Sequence, residues 1–152
     1  YEPEPKTELE KLPPLTTTGE NTFGCLVNGE AMAVINSFDQ VAIYQGSKIQ
    51  FGARFETSEI DRNITIVLLD PLEINTSYGL TNFPTHRAKF RQVINSTSCE
   101  YDYENTFDGF VGFSKIDRSN FIISGTFEFS SVTTECDTVH ITDGRFDMQY
   151  IP

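Results

Sequence analysis

The sequence predicts an all-β domain, and three observations carry that prediction. Apolar residues recur with period two along short runs, and 13 Phe and 6 Tyr supply the aromatic bulk that pleated, half-buried surfaces favour. Turn dipeptides rich in Gly and Asn separate the runs, and no ten-residue stretch has helical periodicity. Short strands joined by turns make an antiparallel meander closed as a β-sandwich or a flattened barrel, a choice that periodicity leaves open. At 152 residues the chain suits a single domain that buries about 70% of the surface its unfolded form exposes.

Residues 1 to 20, "YEPEPKTELEKLPPLTTTGE", hold four of the seven prolines, alternating charge and no apolar period. That is the composition of a flexible, extended tether, so the β domain is expected to span 21 to 152. In "TFGCLVNGEAMAVI", Asn28-Gly29 between two apolar runs predicts the first hairpin. A Gly46-Ser47 turn joins "QVAIY" to "KIQFGARFE", where Ile49, Phe51, Ala53 and Phe55 alternate with polar positions and mark a buried face. "NITIVLLDPL" is apolar on both faces, as a covered central strand is, and Pro71 ends it because proline cannot donate to a ladder.

"TSYGLT", "AKFRQVI" and "CEYDYE" read as three further strands, the last with Cys99, Tyr101 and Tyr103 on one face. "GFVGFSKI" turns at residues 117 to 120 into "FIISGTFEFSSV", and a loop around Cys136 leads to "TVHITDGRFDMQYI". Along this last run Val139 and Ile141 share one parity, whereas Phe146, Met148 and Tyr150 share the other. The flip needs an extra residue, which predicts a β-bulge at Asp143-Gly144 with the glycine supplying positive φ. Parity directs Phe51, Phe55, Ile66, Phe113, Phe127, Phe129 and Ile141 inward.

The formal charge of −11 repels phosphate backbones, so nucleic acid is excluded as a partner. The longest apolar run, "ITIVLL", is far shorter than the roughly 20 residues of a spanning helix. No elbow, phosphate loop or dinucleotide fingerprint occurs, and no catalytic, cofactor-binding or metal-ligating set is predicted. His86 and His140 have no ligand-spaced neighbours and are expected to face solvent. Acidic pairs such as Asp102 with Glu104 and Asp143 with Asp147 read as solvated surface. Cys25 lies in parity between Phe23 and Val27, as a small buried hydrophobe does. Three cysteines leave one over in any intramolecular pairing, and the count alone does not separate thiols from a disulfide plus a spare.

The run "LPPLTTTGENTFGCLVNGEA" (12 to 31), followed by "GFSKIDRSNFIISGTFEF" and "VHITDGRFDMQYI", resembles an uncharacterised family of secreted Bacteroidetes lipoproteins, a domain of unknown function. The matching motifs flank residues 57 to 107, which carry none. The resemblance implies a lipidated cysteine upstream of Tyr1, residues 1 to 20 as spacer, and a place in the cell envelope, on either side of the outer membrane. An opening Tyr in place of Met agrees with a processed product, and the acidic "EPEP" is similar to signals for surface exposure. The family brings no established catalytic or binding residues. In an envelope setting Cys99 and Cys136 become a candidate disulfide, and "DTV" looks like an O-glycosylation signal of such bacteria, on Thr138.

The expected function is therefore a non-enzymatic binding or structural module whose partner is an envelope protein, a glycan or a small apolar ligand. Tyr101, Tyr103 and Tyr150 are the candidate ligand-facing aromatics, although the lack of Trp weakens a glycan surface. A lipocalin-like carrier needs a hollow barrel. A carboxylate-dependent glycan hydrolase needs two acids about 5 to 9 Å apart across a cleft.

Overall fold

The computed structural model describes residues 4–152. Three hairpin turns place two successive residues at positive φ: Asn28 and Gly29 (48° and 84°), Gly46 and Ser47 (60° and 63°), and Asn95 and Ser96 (47° and 71°). Such type I′ turns match the right-handed twist of the strands they join. They connect β1 (Thr22–Val27) to β2 (Glu30–Val34), β3 (Gln40–Gln45) to β4 (Lys48–Glu56), and β7 (Arg87–Ile94) to β8 (Thr97–Tyr101). The remaining strands are β5 (Ile60–Leu69), β6 (Ser77–Gly79), β9 (Thr106–Asp117), β10 (Ile122–Ser131) and β11 (Val139–Gln149).

The strands form two antiparallel sheets, one of six in the order β2-β1-β11-β10-β9-β6 and one of five in the order β3-β4-β5-β7-β8. They are not closed into a barrel, so the architecture is that of a sandwich. The connectivity departs from a plain meander because β11 returns to lie between β1 and β10. At one corner the chain end crosses to the other sheet, where Tyr44 N and Ile151 N donate 2.9 Å bonds to the carbonyls of Ile151 and Ala42.

Phenylalanine rings fill the space between the sheets. Phe51 lies 4.5 Å from Phe146, Phe23 5.1 Å from Phe127, and Phe113 5.7 Å from Phe146, centroid to centroid. Phe51, Ile66, Phe113, Phe127, Phe129 and Ile141 are all buried, as parity directs. Phe55 is only half-buried, because it lies opposite Arg62 near one end of the sandwich. Arg62 is itself buried, and it joins the two sheets by an ion pair to Glu30 at 2.8 Å, while its Nε donates to Gln92 Oε1.

The bulge lies where parity puts it. Phe127 pairs with Gly144 but Phe129 with Ile141, so two steps along β10 face three along β11, and β1 shows the same shift between Gly24 and Leu26. The division of labour differs from expectation. Asp143 takes the positive φ of 52°, which a short polar side chain tolerates. Gly144 is required for space, since a Cβ there would lie 2.5 Å from the Phe127 carbonyl oxygen and 2.7 Å from its ring.

The N-terminal segment departs most from its reading as a free tether. Residues 9–11 form a 3-10 turn, Glu8 Oε1 accepts from Ala31 N on the edge strand β2, and Leu12 and Pro13 are buried. Pro13 lies over Gly24, where a Cβ would come within 2.8 Å of the proline ring. Beyond it Asp147, only 1% exposed, collects the chain: its carboxylate accepts from Thr16 Oγ1 (2.6 Å), Gly19 N (2.8 Å), Glu20 N (3.0 Å), Thr18 N (3.2 Å) and Ser124 Oγ (2.7 Å). A composition that lacks apolar period gains its order from this one acceptor. Asp147 is thus a buried anchor and no part of a solvated pair with Asp143, and the segment before the first strand is docked and not free. The segment covers part of the outer face of the six-stranded sheet.

Candidate functional site

The three tyrosines proposed from parity go to different places. Tyr101 ends β8 at 4% exposure, its ring 5.8 Å from Phe90 and its hydroxyl donating to the Asp137 carbonyl. Tyr150 is also buried, packed between Tyr44 and Phe121. Both pack against the core, while Tyr101 also borders a hollow on the five-stranded sheet and Tyr150 borders another near the chain's Ile151 bridge. Tyr103 is the one the fold presents, and it does so because "CEYDYE" is not one strand. Asp102 Oδ1 accepts from Tyr103 N, and the chain turns into a 3-10 helix over Tyr103–Asn105.

The other candidates are also placed. Cys99 and Cys136 are joined in a disulfide that pins the 132–138 loop to β8. Thr138 is exposed on the last residue of that loop. Cys25 is fully buried, and burial pushes its thiol up to about 12 against the opposing influence of Arg62. His140 is exposed, whereas His86 is half-buried, accepts from Leu69 N at 3.3 Å and has its basicity lowered by burial. The reading of His86 as solvent-facing is therefore corrected, because its ring takes the Leu69 N–H and packs edge-on against Tyr78 at 5.6 Å. Among the described residues no three His, Cys, Asp or Glu side chains gather as metal ligands would.

The disulfide closes a loop of 37 residues, so its loss is worth about 3 to 4 kcal/mol by chain entropy. Urea unfolding of the protein with Cys99→Ser and Cys136→Ser is expected to show that loss. An unchanged midpoint would mean that the linked loop contributes nothing to the folded state.

What remains is the outer face of the five-stranded sheet, which the N-terminal segment leaves open. Strand β7 alternates here: Ala88 and Phe90 are buried, so Arg87, Lys89 and Arg91 point outward together. This stripe is legible in "RAKFR", where cations alternate with apolar residues. Arg54, Asn63, Arg91 and Glu100 form one row across four strands. Arg54 pairs with Asp61 at 2.9 Å and Glu56 at 2.7 Å, and Arg91 pairs with Glu100 at 3.3 Å. Asp61 holds its charge well, since the Arg54 hydrogen bond lowers its proton affinity.

Arg87 and Lys89 have no carboxylate partner among the described residues. They lean on the Tyr103 ring, the Arg87 guanidinium 5.0 Å and the Lys89 ammonium 5.2 Å from its centroid. The half-exposed Phe83 lies beside it, 6.3 Å away and nearly parallel. Cation–π contact of this kind orients the cations without neutralising them.

Two hollows mark the same face. One of about 210 Å³ lies among Lys89, Arg91, Glu100 and Asp102, and another of about 230 Å³ lies between Val41, Arg54, Thr65 and the 95% exposed Phe38. Asn63 lines both. Gly52 is required by the close approach of β4 and β5, for a Cβ there would meet the Ile64 carbonyl oxygen at 1.9 Å. The result is an elongated surface with apolar rings toward its ends and hydrogen-bonding groups at its centre. Compared with protein-family models, curated proteins and solved structures, the chain finds no match.

Proposed function

We propose that the chain is a non-enzymatic binding domain of the bacterial cell envelope, held at the outer membrane by a lipid on a cysteine upstream of Tyr1. Its docking surface is the outer face of the five-stranded sheet. The observation that carries this reading is a difference between the two faces: residues 12 to 20 cover part of one, while the other bears Arg87 and Lys89 without carboxylate partners among the described residues. The resemblance to secreted lipoproteins supports the envelope setting, and so does a disulfide, which persists in oxidising compartments.

The geometry favours this over the two alternatives considered. A carrier needs an interior void, and here ring contacts of 4.5 to 6.4 Å occupy the space between the sheets. A hydrolase built on Asp143 and Asp147 needs both acids free, and the Asp147 oxygens are engaged by five donors. Thr138 on its exposed loop suits O-glycosylation, remote in sequence from the docking strands.

Native mass spectrometry of the domain purified from its own envelope tests the binding reading. The expected result is an added mass that disappears on denaturation, and that is lost with unchanged melting temperature in Asn63→Trp, whose ring would fill the junction of the hollows. A bare mass for the parent protein, or an added mass indifferent to Asn63→Trp, would overturn the reading.

A further inference from the structure

We infer that the occupant of this face is an acidic polysaccharide, one whose sugars carry carboxylate groups; the inference rests on the docking reading above and adds its chemistry. Arg87 and Lys89 stand side by side on a chain of net charge −11 without an internal counter-ion, so an anion from outside completes them. Arg87 Nη1 donates to the Pro84 carbonyl at 2.5 Å, which leaves the Nε and Nη2 edge of the guanidinium for a planar, two-point match to a carboxylate, and the ammonium adds a second cation beside it.

The neighbouring acids narrow the class further. Glu100 and Asp102 line the same hollow as Lys89. A purely acidic peptide would be repelled by them, whereas sugar hydroxyls donate to carboxylates. A ligand that is at once anionic and rich in hydroxyl donors is an acidic sugar. Exposed Phe83 and Phe38 supply flat apolar platforms for the C–H faces of pyranose rings. Because the two hollows share Asn63, the ligand is extended and spans several sugars.

Affinity electrophoresis of the whole protein in gels containing polygalacturonate, dextran or no polymer tests this. Retardation is expected in polygalacturonate alone, weakening as salt rises. Arg87→Glu and Lys89→Glu are each expected to weaken it about tenfold or more, as loss of a complementary charge does. Lys11→Glu and Lys115→Glu make the same change of net charge on the side of the six-stranded sheet and should stay within about twofold of the parent protein. Equal losses in all four variants would reduce the effect to bulk charge and overturn the proposal. No retardation in polygalacturonate would overturn it too, and so would equal retardation in dextran.

Flotation with phosphatidylglycerol vesicles separates a membrane-surface role, since binding to vesicles but not to polygalacturonate refutes the glycan. The docking reading fails separately. A native adduct that survives Arg87→Glu and Lys89→Glu but not Asn63→Trp keeps the face and discards the acidic ligand.

Discussion

Truncating Phe127 to Ala is expected to cost about 3 to 5 kcal/mol, the range for removing a large buried ring. Phe127 is 2% exposed, stacks on Phe23 and lies 6.3 Å from Phe146. It also lies directly under Gly144, the position that the bulge leaves without a side chain. The neighbours have little freedom to fill the space, because Phe23, Phe127 and Phe146 belong to three adjacent strands whose register the bulge sets. Chemical denaturation of Phe127→Ala should show the loss with an unchanged slope. An unaltered midpoint would mean that the ring is not in the core and that the register of β10 is wrong.

Replacing Asp147 by Ala is the second large effect, expected at about 3 to 5 kcal/mol, because it strips the acceptor from five donors at once. Here the loss has a location. Residues 12 to 20 should come away from the six-stranded sheet, which limited proteolysis would show as new cleavage after Lys11. Persistence of the docked segment in Asp147→Ala would assign its order to Leu12 and Pro13 instead.

The pH dependence has a definite sign. Burial raises the proton affinity of Asp147, but the hydrogen bonds from Thr16, Glu20, Ser124 and Gly19 outweigh burial and leave it below the ordinary value of 3.8. Its stabilisation is therefore complete above pH 3.8 and is lost as pH falls through the lower, folded value. The stability gap between the parent protein and Asp147→Asn should close over that acid range. A gap independent of pH would show that the carboxylate charge is irrelevant to the latch.

Local chemistry was legible wherever it determined local geometry. Asn28-Gly29 and Gly46-Ser47 announce hairpins because few residues accept two left-handed steps in succession, and the bulge is visible because parity has no other way to flip. Asp147 was not legible. Its partners are mostly backbone N–H groups in a segment whose side chains say only that it is polar. Parity also misled where a strand stopped early: carried past Tyr101, it put Tyr103 beside Tyr101 on one face, whereas the Asp102 turn sends them apart. The stripe of Arg87, Lys89 and Arg91 could have been read, but its lack of counter-ions is a property of the assembled sheet alone.

The place of β11 dictates an order of events. The five-stranded sheet pairs its strands in the sequence in which they appear, so each can add to an existing edge as the chain emerges. The six-stranded sheet cannot be finished that way, because β1 waits for β11 and the latch waits for Asp147, both near the final residue. Loop closure between residues near the two ends of the domain precedes those contacts, which makes completion of this sheet slow. Until β11 arrives, the hairpin of β1 and β2 presents an unpaired edge to any strand that can add to it.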